Sequence, residues 1–181
     1  MMRGDLVILR PVTRDDFAKI VAWSKDPDVH GLMDGDLPES LEECEEWHKR
    51  IASDRYNKVF SITTLDGELI GDIELNHITW RNGHAEMRVR IGEKAYWDKG
   101  YGTDAVKCLL LHAFSELSLQ RVYLRVYGFN HRAVRCYEKC NFKKEGRIRR
   151  VINGAEERDI VLMRIMREEF LRKQLMRQKI G

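Results

Sequence analysis

No stretch of this chain approaches the roughly 18 consecutive apolar residues that a membrane-spanning helix needs, so no membrane role is expected. An excess of one charge is also missing. Against 32 Lys and Arg stand 29 Asp and Glu, a net of +3, so bulk electrostatic binding to nucleic acid is not expected and acidic ligands must meet local basic patches. Cysteine is sparse: Cys44, Cys108, Cys136 and Cys140 lie scattered through patterned segments, which suits reduced thiols rather than a disulfide framework. Cys136 and Cys140 are one helical turn apart, yet no nearby histidine or carboxylate pattern completes a tetrahedral site. Packing is therefore the preferred reading, and no metal is expected. Met1-Met2-Arg3-Gly4-Asp5 lacks the apolar core of a signal peptide, so a soluble, cytoplasmic protein is expected. With no repeat, low-complexity tract or linker, 181 residues that are 43% hydrophobic suit a single domain, 1–181, ending in a helix or tail from about 167.

What the chain does have is a glycine-rich turn, Lys99-Gly100-Tyr101-Gly102-Thr103-Asp104-Ala105, running from a loop into a patterned helix. Glycine lets a backbone approach a ligand closely, and the first amides of a helix have no intrahelical acceptor. Those amides, with the helix dipole behind them, attract phosphate, and the turn reads as a pocket for the pyrophosphate of a cofactor. On the pattern alone, an ordinary loop-to-helix connection carries equal weight. Val106, Leu109, Leu110, Ala113, Phe114 and Leu117 recur at the spacing of one helical face, which supplies the rigid anchor a phosphate cradle needs.

The other segments predict a mixed α/β order. Leu6 to Arg10 reads as a strand, and Thr13-Arg14-Asp15-Asp16 caps a helix that stops near Pro27. Asp28 to Pro38 is irregular, with a substrate lid or a plain surface loop as its two readings. Ser40-Leu41-Glu42-Glu43 has capping-box spacing for a helix to about Ser53. Val59 to Thr64 and Leu69 to Ile78 are strands joined through Asp66-Gly67. For the next hairpin, Ile73 and Leu75 must share a face with Met87, Val89 and Ile91, which calls for an odd loop. A three-residue loop, Arg81-Asn82-Gly83, sets Leu75 opposite Val89 and Glu74 opposite Arg90, with Gly83 left-handed. Arg121 to Val126 is a strand, Asn130 caps a helix from His131 to Cys140, and Lys143 to Val151 turns at Asn153-Gly154 into a strand from Arg158 to Met166. A solvated helix, Arg167 to Lys179, follows.

These residues resemble the GNAT superfamily of N-acetyltransferases. Tyr96-Trp97-Asp98-Lys99-Gly100-Tyr101-Gly102-Thr103-Asp104-Ala105 is similar to the family's acetyl-CoA pyrophosphate motif. Val126 through Phe142, with Asn130, Arg132, Ala133, Tyr137, Glu138, Lys139 and Phe142, is similar to its second cofactor motif. Leu9-Arg10-Pro11, Asp159, Met163 and the order of elements extend the resemblance over nearly the whole chain. Its nearest likeness is to the branch of ribosomal-protein N-terminal and spermidine acetyltransferases. Trp97 stands where the family usually has glutamine or arginine, which leaves pyrophosphate binding to backbone amides. Asn141 replaces a usual glycine and can hold the same left-handed cap. The resemblance implies an α/β GNAT fold, a central mixed, mostly antiparallel twisted sheet flanked by helices.

Acetyl transfer to an amine needs an anchored donor, a polarised carbonyl, a base for the amine and an acid for the departing thiolate. By resemblance, Gly100 to Thr103 hold the pyrophosphate with Lys99 an optional counter-ion, while Trp97, Asn130, Arg132 and Ala133 lie along the cofactor. The central strand contributes Val89 and Ile91, with a backbone amide near Val89 or Arg90 polarising the thioester. Tyr137 is the candidate acid, since a phenol can protonate a departing thiolate; a packed helix tyrosine is the alternative. Glu86, on the polar strand face shared with Arg88 and Arg90, is the candidate base, with a structural ion pair as the alternative and Glu74 as competitor. His30, His77, His84 and His131 read as isolated surface or packed residues. The acids from Asp34 to Glu46 suit either a cationic amine or, for those on the helix, a solvated face.

The reading is an acetyl-CoA-dependent N-acetyltransferase acting by direct transfer in a ternary complex, because no cysteine has a basic partner visible in the sequence. The acceptor is a protein N-terminal α-amine, a small polyamine or an amine-bearing antibiotic. An open, weakly charged groove favours the first and a closed acidic pocket the others. A non-catalytic acyl-CoA sensor is the alternative class, and monomer and homodimer both remain open.

Overall fold

Alternating apolar residues commit the chain to one sheet, and the order of its strands decides where a ligand can enter. The computed structural model describes residues 1–32, 37–152, 154 and 156–180. Among these, the strands are β1 (Met2–Arg3), β2 (Val7–Pro11), β3 (Lys58–Thr64), β4 (Leu69–Thr79), β5 (His84–Ile91), β6 (Arg121–Tyr127), β7 (Lys143–Ile152) and β8 (Glu156–Met166). They pair in the order β1-β2-β3-β4-β5-β6-β8-β7. Every pairing is antiparallel except β5 with β6. This is the mixed, mostly antiparallel sheet expected.

Helices cover both faces. On one lies α4 (Tyr101–Ser115), whose Ala105, Val106, Leu109, Leu110, Ala113 and Phe114 are fully buried against strand residues such as Ile62, Ile73, Leu75 and Met87. Leu117, expected on the same helical face, falls beyond the helix end but packs against that core. Helix α6 (Arg167–Ile180) reaches it through Phe170, whose ring lies 5.4 Å from Phe114, while most of the rest of α6 is exposed. A second core forms among Val12, Phe17, Ile20, Trp23, Val29, Cys44 and Leu69, joining α1 (Phe17–Lys25), α2 (Pro27–His30) and α3 (Leu41–Ser53) to the sheet. Asp16, buried at the foot of α1, accepts hydrogen bonds from Arg10, from the Thr13 amide and from the Ser61 hydroxyl. A buried carboxylate needs that many donors to offset its lost hydration.

Four details differ from the sequence reading. The β4–β5 hairpin pairs Leu75 with Met87, Ile73 with Val89, Glu74 with Arg88 and Asp72 with Arg90. The expected faces are kept, but the register is two residues off. The last pair is Thr79 with His84, so the loop has four residues rather than three, with Gly83 left-handed at φ +69°. An irregularity between Asn76 and Thr79 restores the parity that an even loop would break. The Ser40 hydroxyl accepts from the Glu43 amide, but the Glu43 carboxylate turns to the Glu39 amide, leaving the capping box half made. Within Asp28 to Pro38, residues 27–30 are helical, with the Asp26 carboxylate capping the Asp28 amide at 3.0 Å. Residues 33–36 of that segment lie outside the described residues, as does Asn153 of the expected Asn153-Gly154 turn. Asn141 is left-handed at φ +72°, as expected for the cap before Phe142.

Candidate active site

A parallel pair of strands that stops short leaves an opening in a sheet. β5 and β6 pair through His84 with Arg121, Ala85 with Val122 and Glu86 with Tyr123, and no further. Beyond Glu86, β5 continues to Ile91 still paired to β4, with no strand on its other edge among the described residues. The wedge opens into a cleft of about 470 Å³ lined by β5, by the start of α4, by the end of β6 and by α5 (His131–Lys139). Main-chain groups of β5 that a neighbouring strand would satisfy elsewhere face this space.

At one end lies the glycine turn. Gly100 caps α4 with φ +88°, a conformation that strains any side chain-bearing residue. The first intrahelical bond runs from the Asp104 amide to the Gly100 carbonyl, so the amides of Tyr101, Gly102 and Thr103 precede the ladder. The Asp104 carboxylate accepts from the amides of Asp5, Leu6 and Val7 at 3.2, 2.8 and 3.0 Å, tying the turn to the chain's first strands.

Facing it is α5, capped by Asn130, whose Oδ1 accepts from the Ala133 amide at 3.2 Å. Arg132 stacks 4.2 Å over the Trp97 ring and donates to Asp98, while the Trp97 indole donates to the Ile91 carbonyl at 2.7 Å. Trp97 thus straps the end of β5 to α5. Arg132, Arg135 and Lys139 give this end of the cleft a cationic wall. Tyr137 is buried, its ring edge-on to Phe142, and its hydroxyl has no hydrogen-bond partner among the described residues. Burial pushes its phenol far above the ordinary value, with charge at Cys136 and Cys140 adding to the effect. It therefore stays protonated at neutral pH. Cys136 also lines the cleft. A hydrogen bond from the Cys140 thiol brings its pKa down to about 7 against burial, helped by the Thr103 hydroxyl.

At the other end side chains are matched in charge. Glu86, 4% exposed, accepts from Arg125 Nε at 2.8 Å on one oxygen and lies 3.1 Å from His77 Nδ1 on the other. Arg88 pairs with Glu74 at 3.4 Å. Arg90 pairs with Asp72 at 2.5 Å and lies 5.4 Å from the Trp23 ring centre. The expected Glu74–Arg90 pair is therefore replaced by two neighbouring pairs, a consequence of the shifted register. Burial raises the Glu74 carboxyl above its ordinary value, outweighing the Arg88 guanidinium.

Of the residues singled out in the sequence, Glu86, Val89, Ile91, Trp97, Gly100, Gly102, Thr103, Asn130, Arg132, Ala133 and Tyr137 all line the cleft. Lys99 and Tyr101 do not. Each step around a helix start turns a side chain by about a quarter of the circle. Tyr101 accordingly swings away and packs edge-on against Tyr96, and Lys99 is exposed. Arg88, Arg90, Arg125, Arg135, Lys139 and Cys136 join the lining without having been assigned to it. For Arg125 a signal existed in the alternation of β6, which puts it on the face opposite Val122, Leu124 and Val126. Among the described residues no cluster of three or more His, Cys, Asp or Glu side chains forms a metal site. No described helix is long and apolar enough to cross a membrane.

A sheet splayed beside one parallel pair, with a glycine turn at the head of the facing helix, defines a mixed α/β transferase domain built around a phosphate-bearing donor. The family described as acetyltransferase (GNAT) domain matches residues 7–143, and the chain belongs to it. It is an N-acetyltransferase whose donor is acetyl-CoA. Its similar chains include the SPbeta prophage-derived uncharacterized N-acetyltransferase YokL of Bacillus subtilis, 29% identical over 92% of this chain and 93% of that one. The spermidine N(1)-acetyltransferase of Vibrio cholerae is 28% identical over 90% of this chain and 94% of that protein. A crystal structure of the Vibrio cholerae spermidine N-acetyltransferase in complex with CoA and spermine superposes with a TM-score of 0.83 at 28% identity. It covers 91% of this chain and 98% of the other.

Proposed function

We propose that this chain, working as a single domain in the cytoplasm where acetyl-CoA is made available, moves an acetyl group directly to a primary amine in a ternary complex. The observation that carries this reading is the early end of β5–β6 pairing, which opens one cleft onto the α4 turn, Tyr137 and Glu86 together. The residues fit the donor: uncommitted amides from Tyr101 to Thr103 and the cationic wall of α5 suit its phosphates. The open edge of β5 suits the amide-rich pantetheine arm. Bound there, acetyl-CoA supplies an activated acyl carbon and a thiol leaving group. Tyr137, kept protonated by burial, gives its proton to the departing sulfur, and Glu86 takes the proton that the amine loses. A sensor that only bound the donor would need neither group.

Cys136 gives the direct route a test of its own. In direct transfer Cys136→Ser keeps turnover, whereas an acetyl-enzyme route through this thiol loses it.

For the acceptor, the three ion pairs Glu86–Arg125, Arg88–Glu74 and Arg90–Asp72 leave the described wall nearly neutral, which suits a polypeptide α-amine better than a polycation. A polyamine is the second reading, supported by the likeness to spermidine acetyltransferases. Thiol release from acetyl-CoA, measured against N-terminal peptides, spermidine and aminoglycosides, decides between them. Peptide-dependent release is the expected result, and spermidine alone as substrate reverses the choice. No release with any amine, despite tight CoA binding, leaves the sensor.

A further inference from the structure

β4 departs from regular pairing at one place. Its register shifts between Asn76 and Thr79, and His77 sits there with φ +49°. A residue other than glycine in the left-handed region is uncommon, and bulges beside active sites re-aim a side chain. This bulge is braced from outside the sheet. The Ile78 amide donates to the Tyr56 carbonyl at 3.0 Å, and the His77 amide donates to Asn57 Oδ1 at 3.3 Å. Asn57 is itself hydrogen-bonded to Asp54, which also accepts from the Tyr56 amide at 2.7 Å. The result hangs a largely exposed imidazole, with 69% of its side chain open to water, on a carboxylate of which 6% is exposed. Glu86 therefore touches the cleft on one side and a surface histidine on the other.

We propose that His77 is the positioning residue of the base: its Nδ1–H fixes one oxygen of Glu86, and proton uptake at its solvent-facing Nε2 sets the acid side of catalysis. The proposal rests on the reading of Glu86 as the base. A carboxylate beside the Arg125 guanidinium offers only acceptors, so the hydrogen of this contact belongs to Nδ1 and the free lone pair to Nε2. The groups that face Glu86 are Arg125 and Tyr123 from β6 and His77 from β4, with uncharged Asn76 opposite it in the ladder. Asp54 stands behind His77 through Asn57. Protonation at Nε2 places an imidazolium against Glu86, holds the carboxylate in its charged form and weakens it as a proton acceptor. Turnover accordingly falls once the imidazole has taken up that proton.

Two variants and one spectrum test this. His77→Gly suits the left-handed backbone and removes the imidazole; it is expected to lower kcat about tenfold, part of what a general base contributes. His77→Asn also tolerates that backbone, and its amide can stand in for Nδ1–H without titrating. It is expected to regain most of the loss while the acid limb of the kcat profile moves to lower pH. Nitrogen-15 shifts of the native imidazole above its titration are expected to show the Nδ1–H tautomer, and Glu86→Gln is expected to erase that preference. The proposal is overturned by a native Nε2–H tautomer, or by Gly and Asn variants that lose the same factor at every pH with the limb unmoved. Unaltered kcat in Glu86→Gln would instead remove the base reading, and His77's role with it, even where the spectrum shows Nδ1–H.

Discussion

On the proposed reading, the donor half of the cleft is assembled from two short stretches, residues 97–103 and 130–137, each contiguous in sequence and each heading a helix. The acceptor half takes its groups singly: Asp72 and Glu74 from β4, Glu86, Arg88 and Arg90 from β5, and Arg125 from β6, 35 residues further along. One half works through main-chain amides and a helix cap, the other through ion pairs whose partners are brought together by strand register. The contrast teaches where damage spreads. A change in the donor half disturbs one ligand, whereas a change in the acceptor half also strands a buried partner charge.

The strongest way to break this contrast is Tyr137→Phe, which keeps the ring and its packing on Phe142. It is expected to lower kcat about 100-fold while the KM for acetyl-CoA changes little. Because burial raises the phenol, native kcat is expected to show no decline up to about pH 10, the ordinary tyrosine value, from loss of this proton. Steady-state kinetics across pH checks both, and an equal rise in KM would make Tyr137 a binding residue.

Arg125→Ala probes the acceptor half. Glu86 loses its guanidinium, and an expected destabilisation of about 2 kcal/mol stays below the full cost of breaking a buried pair because Arg125 is one-third exposed. Urea unfolding measures it, and the acceptor KM is expected to rise while that for acetyl-CoA holds. Gly100→Ala should be milder for the fold, about 1 kcal/mol for a side chain at φ +88°. Its kinetic effect is expected in the acetyl-CoA KM alone. The smallest effect is chemical: iodoacetamide is expected to label Cys136 increasingly as pH rises through about 7, with acetyl-CoA protecting it. Its hydrogen bond with Cys136, followed by burial, holds Cys140 well above the ordinary thiol range, so it should label far more slowly.

Much of the donor half was legible because its signals are local. The capping role of Asn130 and the buried face of α4 follow from spacings shorter than a helix, and the left-handed Asn141 from the family resemblance. The acceptor half was misread for one specific reason. Parity of the β4–β5 hairpin was deduced correctly from Ile73, Leu75, Met87 and Val89, but a three-residue loop and a four-residue loop with a bulge satisfy the same parity. Choosing the simpler one moved Glu74 onto Arg90 and left His77 read as an isolated histidine, without the bulge that brings it to Glu86. Cys136 was read as packing because nothing in the chain order shows that Thr103 comes to it from 33 residues away.

The sequence by itself determined the helices, the faces of the strands, the glycine turn and the membership of a family, because periodicity, capping and motif spacing act over a few residues. Only the tertiary structure decided that β5 and β6 part after Glu86, which residues line the opening and which charge meets which. Those depend on register between strands far apart in the chain, and register is a collective outcome of packing that local spacing does not encode.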